Sequence, residues 1–267
     1  MGAIMARACS IIRPMFPISD ENERGHGPAF VSLAFIAINI AVFLFLQGAG
    51  ASQQGADFTY GYSAVPFEIT NGVDLTQPEP ITVDGQQVAV PQEPGPTPIW
   101  LTLFSSIFMH GGWLHLAGNM LFLWIFGDNV EHRIGHIRYL VFYLVAGVIA
   151  SFAQILTDTD SIIPTLGASG AISGVLGAYL VMFPTNRVTV FLFRFLMPVP
   201  AIVAIGMWAV LQFINGFGAI AVTEQTGGVA YMAHIGGFVA GVVAGLVFRA
   251  VFNEPRHPRG TPASLFR

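Results

Sequence analysis

Six apolar stretches, joined by loops that alternate between arginine-bearing and arginine-free, restrict the possible folds of this chain more than any other feature. They run over residues 30–46, 113–126, 137–156, 168–183, 199–213 and 229–252. Only 10 % of the residues are charged, against about 25 % in an ordinary soluble domain, and 54 % are hydrophobic. The mean hydropathy is +0.65. In hydrocarbon every backbone polar group must be satisfied within the protein, so apolar stretches of this length read as helices. The expectation is an all-α membrane protein, a bundle of six transmembrane helices. The fourth stretch is punctuated by Pro164 before it and Pro184 after it. As α-helix, Thr165 to Phe183 is 19 residues, about 28 Å, close to a bilayer core of roughly 30 Å. The second, fourth and fifth stretches are short, which suits a bundle interior that admits water or a thinned bilayer.

The eleven positive side chains are all arginine. They precede the first stretch, lie between the second and third and between the fourth and fifth, and follow the sixth; the other three loops hold none. By the positive-inside rule both termini are cytoplasmic. Residues 1–29 form a cytoplasmic segment in which Pro14 and Pro17 interrupt any apolar core, so no cleavable signal is expected. A multi-pass protein of the bacterial inner membrane is the expected setting. Residues 30–252 form one domain and 253–267 a cytoplasmic tail. The external loop 47–98 is acidic and rich in Pro, Gly and Gln, with a hairpin predicted around Asp84-Gly85. Residues 99–109 are apolar but too short to span, and Trp100 favours an interfacial helix on the outer leaflet. A single cysteine, Cys9, excludes an intramolecular disulfide and a cysteine-ligated zinc site.

That topology brings unusual polar residues to one depth. The second, fourth and sixth stretches all start at the outer face, and near that start they carry His110, His115 and Asn119, then Ser169, then His234. Ionisable groups inside a membrane are costly and mark functional sites by default. His115 and Asn119 are four apart, on one helix face. Ser169 falls in the first turn of its helix, where backbone N–H groups lack intrahelical partners and the dipole is positive, a place suited to an oxyanion. Gly237, Gly241 and Gly245 form a small-residue ladder below His234, and Gly170, Gly174 and Gly177 line the fourth helix. Two glycine-lined helices can approach closely enough to bring Ser169 and His234 into hydrogen-bond contact. A nucleophile and a general base are the minimum for serine acyl transfer.

Three motifs, His110-Gly-Gly-Trp-Leu-His115-Leu-Ala-Gly-Asn119, Gly167-Ala-Ser169-Gly170 and Ala233-His234-Ile-Gly-Gly237-Phe-Val-Ala-Gly241, resemble those of the rhomboid family of intramembrane serine proteases. Gly127-Asp-Asn-Val-Glu131-His-Arg-Ile-Gly135 is similar to the family's cytoplasmic turn. The resemblance implies Ser169 as nucleophile and His234 as base in a dyad without an acidic third member, since Asp158, Asp160 and Glu224 lie in loops. It also implies an oxyanion hole from His115, Asn119 and the Ser169 N–H, support from His110, and a structural Glu131. The substrates would be transmembrane proteins in the bilayer; no cofactor, metal or nucleic-acid partner is expected. Two positions depart from the family pattern. Trp100-Leu101 stands where Trp-Arg is frequent, and Ser173 stands where an aromatic often stacks on the histidine, so either another group holds the His234 ring or the ring is looser. The loop 216–228 is the expected lid. The alternatives are a metal enzyme or transporter, for which no His-Glu-x-x-His motif exists, a channel, and a non-catalytic relative that escorts membrane substrates.

Overall fold

The computed structural model of the chain describes residues 16–21, 27–83, 85–192, 195–221 and 229–252. The fold is mostly helical. Its elements, in order, are β1 (Phe16–Asp20), α1 (Phe30–Ala41, continued by a π-turn over Val42–Leu46), α2 (Gln53–Tyr62), α3 (Pro66–Asn71), β2 (Glu79–Val83), β3 (Gln86–Val90), α4 (Thr102–Ser105), α5 (Trp113–Ile134), α6 (His136–Ile155), α7 (Ser169–Met182), β4 (Arg187–Leu192), β5 (Phe195–Pro200), α8 (Ala201–Ala221) and α9 (Tyr231–Val251). Among the described residues, α6 and α9 are each long and apolar enough to cross a bilayer. Shorter apolar helices cover Phe30–Leu46, Ser169–Met182 and Ala201–Gly216.

The centre of the molecule is α7. It has 14 residues, and every one from Gly170 to Tyr179 is buried. A helix that is apolar all round belongs inside a protein, and this one is wrapped by α9, α6 and α5. Small residues set how close the wrapping is. A Cβ added to Gly237 would lie 2.1 Å from the Gly170 carbonyl oxygen, and one added to Gly241 would lie 1.9 Å from that of Gly174. The glycines of α7 serve two faces. Gly177 meets the backbone of α9, whereas a Cβ on Gly170 or Gly174 would strike Ala150 or Ala146 of α6 at 2.6 or 2.7 Å.

Glu131, fully buried near the end of α5, caps α1. Its carboxylate accepts from the Val31 and Ser32 N–H groups at 2.8 and 2.7 Å and from the Ser32 hydroxyl at 2.7 Å. These N–H groups are orphans of a first helical turn that has no capping side chain of its own. Beside it, β1 pairs with β4, and β4 with β5, in an antiparallel sheet. Asp20 at the end of β1 accepts from the Asn129 amide and the Tyr179 hydroxyl, both at 2.6 Å. Burial pushes its carboxyl up to about 7.

Several expectations are revised. The second apolar stretch continues as helix through Gly127 to Ile134, so the turn motif is the last part of α5 and the chain reverses only at Gly135. The fourth helix starts at Ser169, not Thr165, because Thr165 pairs with Ala64 in an isolated bridge and Gly167 adopts φ +133°. The fifth starts at Ala201, since Val199 belongs to β5, and it runs past Asn215-Gly216 to Ala221. The first part of the expected lid is therefore helix, while residues 222–228 lie outside the described residues, as does Glu224. Residues 99–108 form one continuous helical segment, α4 flanked by a 3-10 turn on each side, with Thr102, Leu103, Ser106 and Ile107 buried and Trp100, Leu101 and Phe104 exposed. The segment before α1 contributes β1 to the sheet. The hairpin of β2 and β3 forms in the expected register, with Val83 opposite Gln86, and α2 and α3 precede it. Glu68 on α3 is buried and accepts from the Leu75 N–H at 2.8 Å; desolvation pushes its carboxyl up to about 7.

Candidate active site

The close approach of α7 and α9 has a direct chemical result. Ser169 opens α7, His234 sits in the first turn of α9, and the Ser169 Oγ to His234 Nε2 distance is 2.8 Å. Ser173, one turn on, is turned away from this pair. Its hydroxyl donates to the Ser169 carbonyl at 2.6 Å, the usual back-bonding of a mid-helix serine.

His115 comes to the same place from α5. A Cβ added to Gly167 would lie 2.9 Å from His115 Cε1, 3.1 Å from its Nε2 and 3.5 Å from Ser169 Oγ. Glycine at 167 is thus required both by its positive φ and by the ring packed over it. The His115 ring is oriented by its other nitrogen. The Gly111 N–H points at Nδ1 at 3.3 Å, and a backbone N–H only donates. Nδ1 is then the acceptor, and the neutral ring carries its proton on Nε2, beside Ser169. Asn119, one turn along α5, is buried, and its side-chain amide nitrogen has no hydrogen-bond partner among the described residues. A buried donor left unpaired is costly unless something else takes it up. His115 and Ser169 Oγ thus share the space over Gly167, and Asn119 follows His115 by one turn on the same face of α5.

His110 lies at the same place, against His115. Its ring is buried and neither ring nitrogen has a hydrogen-bond partner among the described residues; it packs edge-on to His115 at 5.2 Å. The backbone of His110 is the part that is held, by Gln47. The Gln47 amide oxygen accepts from the His110 N–H at 2.9 Å and its NH2 donates to the His110 carbonyl at 3.0 Å. Gly170, Gly174, Gly237 and Gly241 all lie in the helix contacts that bring Ser169 to His234, as described above. No group of three or more metal-ligating side chains occurs among the described residues. His132 and His136 are engaged with the Gly27 carbonyl and with Glu131.

The residue that sequence reasoning missed is Gln212. It lies on α8, and its carboxamide oxygen is 2.8 Å from His234 Nδ1. Trp208, one turn earlier, lies 6.2 Å from the His234 ring, and Tyr231 meets it edge-on at 6.5 Å. A glutamine in an apolar stretch was the available signal, but it belongs to a helix whose rotation about its axis only packing decides.

The Rhomboid domain family model matches residues 98–251, more than half of the chain, with His110, His115, Asn119, Ser169, Gln212 and His234 all inside it. The chain is 29 % identical over 163 residues to the yeast Rhomboid protein 1, mitochondrial, covering 60 % of this chain and 45 % of that protein. It is 32 % identical over 173 residues to RHOMBOID-like protein 1 of Arabidopsis thaliana, covering 62 % and 40 %. It is 36 % identical over 156 residues to the Rhomboid protease GluP of Bacillus subtilis, covering 58 % and 28 %. The chain therefore spans less than half the length of these curated relatives.

Proposed function

This chain belongs to the rhomboid family, a family of integral membrane proteins, and from that premise we propose that it is an intramembrane serine endopeptidase working through Ser169 and His234. The observation that carries the proposal is the 2.8 Å contact between Ser169 Oγ and His234 Nε2, made across two glycine-packed helices with the His115 ring packed over the adjacent Gly167. In the forward step Ser169 Oγ bonds to a peptide carbonyl carbon while its proton passes to His234 Nε2. The developing oxyanion is received by His115 Nε2–H, the Asn119 amide and the Ser169 N–H. Collapse breaks the C–N bond as His234 returns the proton to the leaving amine. Water then attacks the acyl-enzyme with His234 again as base. Each preorganised donor is worth about 3 kcal/mol in comparable acyl-transfer sites. His110 supports the hole by packing on His115.

Substrates are transmembrane segments that unwind near the outer face, because a formed helix hides its carbonyls. Their route is the side between α5 and α8, which among the described residues share no packed interface comparable to those of α7 with α9 or α6. In the bilayer α1, α5, α6, α7, α8 and α9 act as six spans of one domain over residues 30–252. The arginine-bearing loops and both termini lie on one side, and the loop 47–98 on the other. The proposed compartment, a bacterial inner membrane, rests on the sequence alone, since the relatives include bacterial, mitochondrial and plant proteins.

The test is covalent labelling. A fluorophosphonate should modify Ser169 in the purified wild type, with excess chelator present, and a panel of transmembrane substrate peptides should be cleaved. Ser169→Ala and His234→Ala should abolish both, while Ser173→Ala keeps most of each. Cleavage that persists in Ser169→Ala, or that chelator removes, would exclude the serine mechanism. An unreactive wild type that still binds the peptides would establish an escort instead.

A further inference from the structure

We infer that Gln212 is the positioning residue of the dyad, holding His234 in the one neutral tautomer that can accept the Ser169 proton. The inference rests on the Ser169–His234 reading. A carboxamide oxygen carries no proton and only accepts. With the amide turned so that Oε1 faces the ring at 2.8 Å, His234 Nδ1 is the donor. A neutral imidazole has one N–H, so Nε2 is left with its lone pair, and at 2.8 Å from Ser169 Oγ it receives the hydroxyl proton. With the proton on Nε2 instead, the ring would donate to Ser169 and could not act as its base.

Two further observations make Gln212 the group for this task. Among the described residues no carboxylate hydrogen-bonds to His234, and the turn of α7 facing it carries Ser173, whose hydroxyl is spent on the Ser169 carbonyl. The flanking aromatics, Trp208 and Tyr231, restrict the ring plane but do not distinguish the two nitrogens. An amide also suits the location. A buried carboxylate would carry a large desolvation cost inside a membrane protein, whereas a neutral acceptor fixes the tautomer without that cost and still faces the imidazolium formed during attack. The dyad thus depends on three helices: α7 brings the nucleophile, α9 the base, and α8 the group that selects the base's proton.

The experiment uses the full chain in detergent or bicelles and compares wild type with Gln212→Leu and Gln212→Glu. Gln212→Leu removes the acceptor while keeping apolar bulk, and Gln212→Glu keeps an acceptor at the same reach. If the inference holds, Gln212→Leu lowers kcat and the rate of fluorophosphonate labelling about tenfold, the worth of about one neutral hydrogen bond. KM for a transmembrane substrate peptide stays within about twofold, because the contact is not to substrate. Nitrogen-15 NMR of labelled histidine should show the Nδ1–H tautomer for His234 in wild type and a shift toward Nε2–H in Gln212→Leu. Gln212→Glu should recover most of the labelling rate. A folded Gln212→Leu with wild-type kcat and an unchanged tautomer would overturn the inference. If Gln212→Leu does not fold, the wild-type spectrum decides, and an Nε2–H tautomer there refutes the role. A wild type that is never labelled at Ser169 refutes the dyad itself, a result distinct from all of these.

Discussion

Adding one methyl group at Gly237 should separate the dyad. The new Cβ would stand 2.1 Å from the Gly170 carbonyl oxygen, whereas a carbon–oxygen contact settles at about 3.3 Å or more. The obstacle is backbone on both sides, so no rotamer change relieves it. The shortfall, 3.3 less 2.1, obliges α7 and α9 to part by about 1.2 Å at a point adjacent to Ser169 and one turn from His234. Carried to the site, that motion takes the 2.8 Å Oγ to Nε2 contact to about 4 Å, beyond hydrogen-bond reach. A misplacement of 1 Å costs about 100-fold in rate, and overpacking a tight contact costs about 1–3 kcal/mol. Gly237→Ala should therefore lose about two orders of magnitude in kcat on a transmembrane substrate peptide and melt earlier in the same detergent. Gly206→Ala on α8 is the control, because a Cβ there meets nothing within 4 Å. It should keep full activity and melt no earlier, since alanine is the better helix former. Wild-type kcat and melting temperature in Gly237→Ala would refute the claim that this glycine contact sets the dyad distance.

Asn119→Ala should fold normally and keep measurable cleavage, with kcat reduced about 10²–10³-fold, as for removal of one oxyanion donor among several; steady-state kinetics against wild type checks this. Glu131→Ala strands the Val31 and Ser32 N–H groups at the start of α1, at about 1–3 kcal/mol for each buried donor, and thermal unfolding should register the loss. The Glu68 carboxyl, at about 7 in the fold against 4.5 unfolded, binds its proton more tightly when folded. Its contribution is most favourable below about pH 4.5 and is lost as pH rises through 7. Asp20 acts with the same sign. Wild type should thus melt higher at pH 5 than at pH 8, and Glu68→Gln should remove part of that difference. Gln86→Cys in a Cys9→Ser background should react with a membrane-impermeant thiol reagent in intact cells; labelling only after lysis would reverse the proposed orientation.

The helical character and the spacing of the chemistry were legible along the chain because they are local. Apolar runs, proline punctuation and the i, i+4 pair of His115 and Asn119 need no knowledge of distant contacts. The glycines at 237 and 241 likewise announced a close helix contact, since nothing but backbone can fill the space a missing side chain leaves. What the chain order could not settle is everything that depends on how one element is rotated or paired against another. The sheet of β1, β4 and β5 joins segments some 170 residues apart, and its strands looked like loop and the start of a span. The twofold use of the α7 glycines, toward α6 as well as α9, is a matter of azimuth around a short buried helix. The same holds for Gln212. It is an ordinary polar residue in α8 until packing turns its amide oxygen onto His234, and for His115 it is the fold around Gly111 that selects the nitrogen bearing the proton. The sequence by itself determined which groups fall in the opening turns of their helices, because that follows from residue count along a helix. Only the tertiary structure decided their orientation and proton positions, because those follow from hydrogen bonds between helices that the sequence does not number.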